Sequence, residues 1–184
     1  SMFLNINNIK EIPAEIEKLV GLQYLNASCN KIEKICSKIG NLKNLRIIHL
    51  RGNLRKNLPK ERGNLINLQE LNLENNKLEE LPKENGGLID LKILNLGGNC
   101  LIEICEEIRN LVELKELDLS NNKIKEICRS LGKLINLKKL DLNKNKIKEI
   151  CREIGSCANL EELHLNHNKI EKICSKIGNL KNLR

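Results

Sequence analysis

The sequence predicts an α/β solenoid of about eight stacked units, and two observations support this prediction. An asparagine recurs at a constant step of 23 residues, at Asn7, Asn30, Asn53, Asn76, Asn99, Asn122, Asn145 and Asn168. A frame of Leu and Ile returns with it, as at Leu137, Leu140, Leu142, Ile147, Ile150 and Ile154 around Asn145. Because one unit of this length cannot bury its own apolar edge, successive units must stack and share a continuous core.

Each unit contributes one strand to the inner side of the solenoid. Leu140 and Leu142 alternate with polar neighbours, which is the period of a strand with one buried face. At about 4.8 Å per strand, eight parallel strands span roughly 35 to 40 Å. The amide of the recurring Asn can then bond backbone groups of its own turn and of the adjacent turn.

Glycines recur on the returning side of most units. They stand at Gly40, Gly63, Gly86, Gly132, Gly155 and Gly178. Since glycine is the residue that tolerates unusual backbone angles, we expect tight turns at these places.

Length and composition limit the function classes. The 184 residues are enough for one domain, so we expect a single solenoid over residues 1–184, incomplete at both ends. The chain has one Phe, one Tyr and no Trp, which excludes aromatic platforms for single-stranded nucleic acid. The net charge of +8 permits an acidic partner without requiring one. No apolar stretch approaches the 18 or so residues of a membrane span, so we expect no membrane partner.

The frame L-x-x-L-x-L-x-x-N-x-I/L-x-x-I/L resembles the leucine-rich repeat over almost the whole chain. Ile12-Pro13, Leu58-Pro59 and Leu81-Pro82 after the Asn turn are similar to the 23-residue Ras-group and bacterial repeats, whereas five units carry Cys in place of Pro. The resemblance implies a right-handed superhelix with a concave parallel β-sheet and short 3-10 or irregular convex segments.

Five of the eight cysteines occupy one equivalent position of the repeat: Cys36, Cys105, Cys128, Cys151 and Cys174. Parallel side chains in register seldom offer the torsion of about 90° that a disulfide needs. We therefore expect small apolar fillers with free thiols, and a cytoplasmic, reducing location. There is no C-x-x-C pair and no converging His, so the sequence predicts no metal site.

The solvent-facing strand positions form one surface on which the two aromatic residues and an Arg would be close together. Exposed aromatics beside an Arg are typical of protein-binding hot spots. We predict that a partner protein binds Phe3, Tyr24, Ile47, His49, Arg51, Glu70, Ile93, Glu116, Asp118 and Asp141. The alternative for Phe3 and Tyr24 is that they only shield the open end of the solenoid.

A row of lysines runs beside this surface, at Lys31, Lys77, Lys123, Lys146 and Lys169. Lysines at a sheet edge usually stay solvated and prevent unwanted pairing. The alternative is that this row attracts phosphate groups or acidic proteins.

Two irregularities leave alternatives open. Arg62 and Asn85 stand where other units have a buried Ile or Leu, which indicates either tolerated drift or a second contact surface on the convex side. The chain starts and stops inside a unit without a polar cap, so either the sequence belongs to a longer protein or the ends associate with another chain.

The sequence as a whole predicts a non-catalytic protein-interaction module or scaffold. It contains no phosphate-binding Gly loop and no H-E-x-x-H, and we predict no catalytic residue and no cofactor. The alternatives are a recognition segment of a larger enzyme or effector, and a binder of acidic polymers through the lysine row. Nucleic acid is not favoured as a partner.

Overall fold

Short strands repeat along the chain at the predicted period. From a computed structural model of the protein we describe residues 1–54, 61, 64–81 and 86–184. Its strands are, in chain order, β1 (Met2–Phe3), β2 (Glu11–Ile12), β3 (Tyr24–Asn26), β4 (Lys34–Ile35), β5 (Ile47–His49), β6 (Glu70–Asn72), β7 (Ile93–Asn95), β8 (Glu116–Asp118), β9 (Lys139–Asp141), β10 (Glu149–Ile150), β11 (Glu162–His164) and β12 (Lys172–Ile173).

Eight of these strands form one parallel sheet, in the order β1-β3-β5-β6-β7-β8-β9-β11. Tyr24 is in register with Ile47, and Ile47 with Glu70, so residues 23 apart in sequence are neighbours across the sheet. The smaller pairs β2-β4 and β10-β12 lie outside this sheet. The predicted solenoid with a parallel sheet, one strand from each unit, is confirmed.

The convex side is built from 3-10 helices. They run Ala14–Lys18, Ser37–Asn41, Glu106–Asn110, Arg129–Lys133, Arg152–Ser156 and Ser175–Asn179. Pro13 precedes the first with φ −78°, and Cys36 precedes the second with φ −64°. The proline ring fixes φ near −65°, so the backbone angle at this place suits both residues, but the N–H of Cys36 also donates to the carbonyl of Ile12, which a Pro could not do. Pro59 and Pro82 lie outside the described residues.

The core consists of Leu and Ile, and the recurring asparagines hydrogen-bond the backbone beside it. Leu117, Leu140 and Ile147 are almost fully buried. Nδ2 of Asn145 donates to the carbonyl of Leu142 in its own turn and to that of Leu119 in the preceding unit. The predicted role of the Asn ladder is confirmed, since these amides satisfy carbonyl groups that stacking removes from water.

The recurring glycines lie in tight 3-10 turns, as at Gly132 and Gly155, but not because they adopt unusual backbone angles. Among the described glycines, positive φ occurs at Gly52 and Gly98, which are not members of that set. The recurring glycines allow close stacking instead: a Cβ at Gly132 would lie 2.5 Å from the carbonyl oxygen of Glu153 in the next unit. Gly63 lies outside the described residues.

The left-handed backbone conformation appears one residue before each recurring Asn. It is adopted by Ile6, Cys29, Gly52, Asn75, Gly98, Asn121, Lys144 and His167. The sequence offered a weak signal, because only four of these eight are Gly or Asn, the residues that tolerate this conformation best.

Arg62 and Asn85, and with them the question of a convex contact surface, lie outside the described residues. In the parts of the chain that the structure covers, no helix is both long enough and apolar enough to cross a membrane.

Candidate functional site

The ten predicted partner-binding residues lie on the solvent side of the main sheet, which we call the concave face. Phe3, Arg51 and Glu116 are exposed, and the other seven are half-buried. The sheet register places Tyr24, Ile47, Glu70, Ile93 and Glu116 in one row across five strands. The rows read from the sequence are therefore physical rows of side chains.

The two aromatic rings are in contact at the β1 end of the concave face. The ring centres of Phe3 and Tyr24 are 5.1 Å apart, and those of Tyr24 and His49 are 5.5 Å apart in an edge-to-face arrangement. Both distances suit favourable aromatic contacts. Phe3 is nevertheless 67% exposed. We call Phe3, Tyr24, Ile47 and His49 the aromatic end.

Polar contacts hold the aromatic end in place. The Tyr24 hydroxyl lies 3.3 Å from Nδ1 of His49, and Nε2 of His49 lies 2.7 Å from Oε1 of Glu70. Arg51 does not join the aromatic rings; its Nε lies 3.1 Å from Oε2 of Glu74 on the next unit. These contacts reduce the number of conformations open to the side chains, so less entropy is lost when a partner binds.

The acidic residues Asp118 and Asp141 have a structural role that sequence reasoning missed. Oδ1 of Asp118 accepts the backbone N–H of Ser120, and Oδ1 of Asp141 accepts that of Asn143. Asn26, Asn72 and Asn95 accept the corresponding N–H in their own units. An Asx oxygen accepts this N–H in five units with or without a negative charge, whereas Phe3, His49 and His164 hold the same place in the other three.

A shallow hollow lies in the β7 to β9 part of the concave face. Its side chains come from Ile93, Asn95, Glu116, Asp118, Lys139 and Asp141, and we call it the acidic hollow. Gly97 lies beside Asp118, and a Cβ there would lie 3.1 Å from a carboxylate oxygen of Asp118 and 3.0 Å from Oγ of Ser120. These distances are shorter than an ordinary van der Waals contact, so the Asp118 carboxylate packs closely against Gly97.

The acidic hollow carries negative charge that its one cation does not balance. Nζ of Lys139 lies 2.9 Å from Oε2 of Glu162 on β11, outside the hollow. The hydrogen bond that Lys139 donates to Glu162, together with the charge of Glu162, is the main cause of the raised pKa of Lys139, with smaller contributions from the charges of Glu116 and Asp141. Within the described residues, no ion pair joins Glu116, Asp118 or Asp141 to a cation.

The thiols are free, and all except the exposed Cys29 are partly or fully shielded. All eight cysteines are unbridged. Burial raises the pKa of both Cys128 and Cys157 to about 11. Since the thiolate is the reactive form and the metal ligand, these positions behave as packing groups. Across the described part of the chain, no group of three or more His, Cys, Asp or Glu is placed to hold a metal ion.

A row of exposed aliphatic side chains lies just before the strands and was missed from the sequence. Ile66, Ile89, Val112 and Ile135 repeat at the step of 23, and each is about half exposed. Beside them runs a second Asn ladder, in which Nδ2 of Asn136 donates to the carbonyl of Val112 in the preceding unit. The same step of 23 that revealed the first ladder would have revealed this one.

Comparison with known proteins agrees with the geometry. The protein-family model described as leucine-rich repeat region matches residues 2–85 and 73–184 of this chain. No curated protein gives a significant match. Among solved structures, a leucine-rich repeat protein of Leptospira interrogans is 39% identical with a TM-score of 0.96, covering 98% of this chain and 46% of that one.

Two plant receptors are also similar in structure. The peptide hormone receptor RGFR1, solved in complex with RGF2, is 33% identical with a TM-score of 0.85, covering 97% of this chain and 30% of that one. The receptor kinase ectodomain GASSHO1/SCHENGEN3 of Arabidopsis thaliana, solved with CASPARIAN STRIP INTEGRITY FACTOR 2, is 28% identical with a TM-score of 0.76, covering 100% and 26%.

The chain thus spans less than half the length of each of these three structures. The family model accounts for residues 2–184 in two overlapping matches, and the repeat that it describes is the unit seen in the sheet. This chain belongs to the leucine-rich repeat family.

Proposed function

We propose that the protein is a non-catalytic interaction module that binds a partner protein on its concave face. The observation that carries the proposal is Phe3, which is 67% exposed although it is held against Tyr24. A large apolar side chain that is ordered but not buried in the core gains free energy when a partner covers it.

The rigidity of the face supports the same function. Tyr24, His49 and Glu70 form a chain of side-chain contacts over three units, and parallel strands fix the spacing of the rows. A preorganised surface loses little entropy on binding. Two structurally similar plant receptors were solved with their peptide or protein ligands, which is consistent with binding by this fold.

We further propose that residues 1–184 form one domain that works in a reducing, intracellular compartment. The eight unbridged cysteines support this location, because thiols persist where glutathione and thioredoxin keep them reduced. Titration of thiols after unfolding without reductant should find eight groups per chain. Fewer groups would indicate bridges and an oxidising compartment.

The proposal is tested by replacing Tyr24, Ile47 and Arg51 together by Ala. Partners captured by the wild-type protein are identified by mass spectrometry, and their binding to the variant is then measured. We expect the variant to lose a partner while its circular dichroism spectrum stays unchanged. A matched control replaces Lys125, Glu126 and Lys148, which are exposed outside the concave face and outside the lysine row. Retained binding by the first variant would remove the aromatic end from the site.

A second candidate partner is another copy of the chain. Ile6 and Ile173, in the first and last units, are 76% and 65% exposed. Light scattering at several protein concentrations distinguishes a monomer from a concentration-dependent assembly.

A further inference from the structure

The concave face has two chemically different ends, and their difference identifies the kind of partner segment that fits it. At the aromatic end both carboxylates have a partner, because Glu70 contacts His49 and Glu74 is paired with Arg51. At the acidic hollow the only ammonium group, that of Lys139, is bound by Glu162. Glu116, Asp118 and Asp141 on β8 and β9 thus have no paired cation among the described residues, and this part of the face is negative in a chain whose net charge is +8.

The shape of the face favours one extended chain. The exposed rows at Tyr24, Asn26 and Ser28 cover a width of about 13 Å, at about 3.3 Å per residue along the strand. Across the strands the face is much longer, since eight strands at about 4.8 Å extend over roughly 34 Å. A long strip of this width accommodates a single peptide that runs across the strands.

The distance between the two ends sets the spacing within that peptide. Tyr24 lies on β3 and Asp118 on β8, four steps apart in the sheet order. Four steps correspond to about 19 Å, which an extended peptide covers in about six residues.

Resting on the function proposed above, we propose that the concave face binds an extended peptide segment of its partner, with an apolar side chain against Phe3 and Tyr24 and an Arg or Lys about six residues away beside Glu116, Asp118 and Asp141. The basic side chain meets these carboxylates in the acidic hollow, which is open to solvent between β7 and β9. Its charge balances carboxylates that have no cation of their own among the described residues, which is the electrostatic complementarity that gives an interface its specificity.

The repeat itself provides a clean variant. Asn occupies the places of Asp118 and Asp141 in other units and accepts the same backbone N–H there. Asp118→Asn combined with Asp141→Asn therefore removes two charges and keeps the structural hydrogen bonds. The matched control is Glu126→Gln combined with Glu149→Gln, which removes two exposed charges outside the face.

The experiment measures fluorescence anisotropy of labelled 12-residue peptides with an uncharged Ser and Ala background. Each peptide carries one Leu and one Arg, placed three, six or nine positions apart. We expect the peptide with a spacing of six to bind tightest, and the Asp118→Asn, Asp141→Asn variant to weaken its binding by about tenfold, because exposed ion pairs are individually weak. The control variant should bind it like the wild type.

Three results would overturn the inference: equal binding of a peptide with Glu in place of Arg, no effect of the two Asn substitutions, or no preference for the spacing of six. The proposed function is judged separately. Suppose that the triple variant at Tyr24, Ile47 and Arg51 loses a captured partner, but the labelled peptides do not bind the wild type. The concave face then binds a folded surface of the partner, and only the peptide inference is contradicted. If both the triple variant and the Asn variant retain the partner, both proposals fall.

Discussion

Asn122 bonds to the backbone of Leu96, 26 residues earlier in the chain: its Nδ2 donates to the Leu96 carbonyl at 3.0 Å. The same amide donates to Leu119 in its own turn, and its Oδ1 accepts the N–H of Leu101 at 3.0 Å. One buried side chain thus ties together two consecutive units. The stacking of units depends on such polar bonds as well as on the apolar core.

Replacing Asn122 by Ala should lower the free energy of unfolding by about 2–4 kcal/mol, because the buried N–H of Leu101 loses its acceptor and a gap remains. Urea denaturation followed by circular dichroism measures the change. The control is Asn136→Ala on the second Asn ladder, where one exposed bond to Val112 is lost and less than about 1 kcal/mol should follow. Equal losses in the two variants would contradict the structural role of the buried ladder.

Lys144→Gly should increase the free energy of unfolding by about 0.5–1 kcal/mol. Lys144 has φ 54°, a conformation that costs a residue with a Cβ more than it costs glycine, and Gly52 and Gly98 hold the equivalent places. Thermal unfolding measures the gain. Lys146→Gly, two residues on and outside the set with positive φ, should give no gain and lose up to about 1 kcal/mol. A loss at both positions would show that the left-handed turn is not strained.

Gly132→Ala should destabilise the protein by about 1–3 kcal/mol, as overpacking does, because the new Cβ would lie 2.5 Å from the Glu153 carbonyl oxygen. Gly178 holds the same place of the last unit, and no atom lies within 4 Å of a Cβ built there. Gly178→Ala is therefore the matched control, with no expected loss. The denaturation midpoints of the two variants give the comparison, and a similar loss in both would assign the effect to backbone angles.

The shielded thiols predict a pH dependence. Burial raises the pKa of Cys128 and Cys157 to about 11, whereas an unfolded Cys titrates near 8.5. Between about pH 8.5 and 11 the unfolded chain loses these protons first, so this contribution to stability is complete below pH 8.5 and declines as the pH rises to 11.

Unfolding measured from pH 7 to 11 should show this decline, and replacing Cys128 and Cys157 by Ala should make it shallower. At pH 8, iodoacetamide should modify the exposed Cys29 well before either of these two thiols. Equal slopes in the wild type and the variant would assign the decline to other groups.

The sequence determined the architecture because the signal is periodic. Asparagine recurs eight times at one step, with Leu and Ile in a fixed frame around it. Stacking of the units is the only way to bury the apolar edge of such a repeat, and the register of the sheet has the same step of 23 residues. The sequence also predicted that the ten residues lie on one face of the sheet, since alternate residues of a strand point to the same side.

The tertiary structure alone decided how these side chains use their charges. Asp118 and Asp141 look like free carboxylates in the sequence, but each accepts a backbone N–H, and Lys139 turns to Glu162 instead of to them. Arg51 likewise contacts Glu74 and leaves the aromatic end to Phe3, Tyr24 and His49. The repeat period shows on which face of the sheet a residue lies. The contacts of its side chain depend on distances of a few ångströms between neighbouring units, and only the folded chain defines these distances.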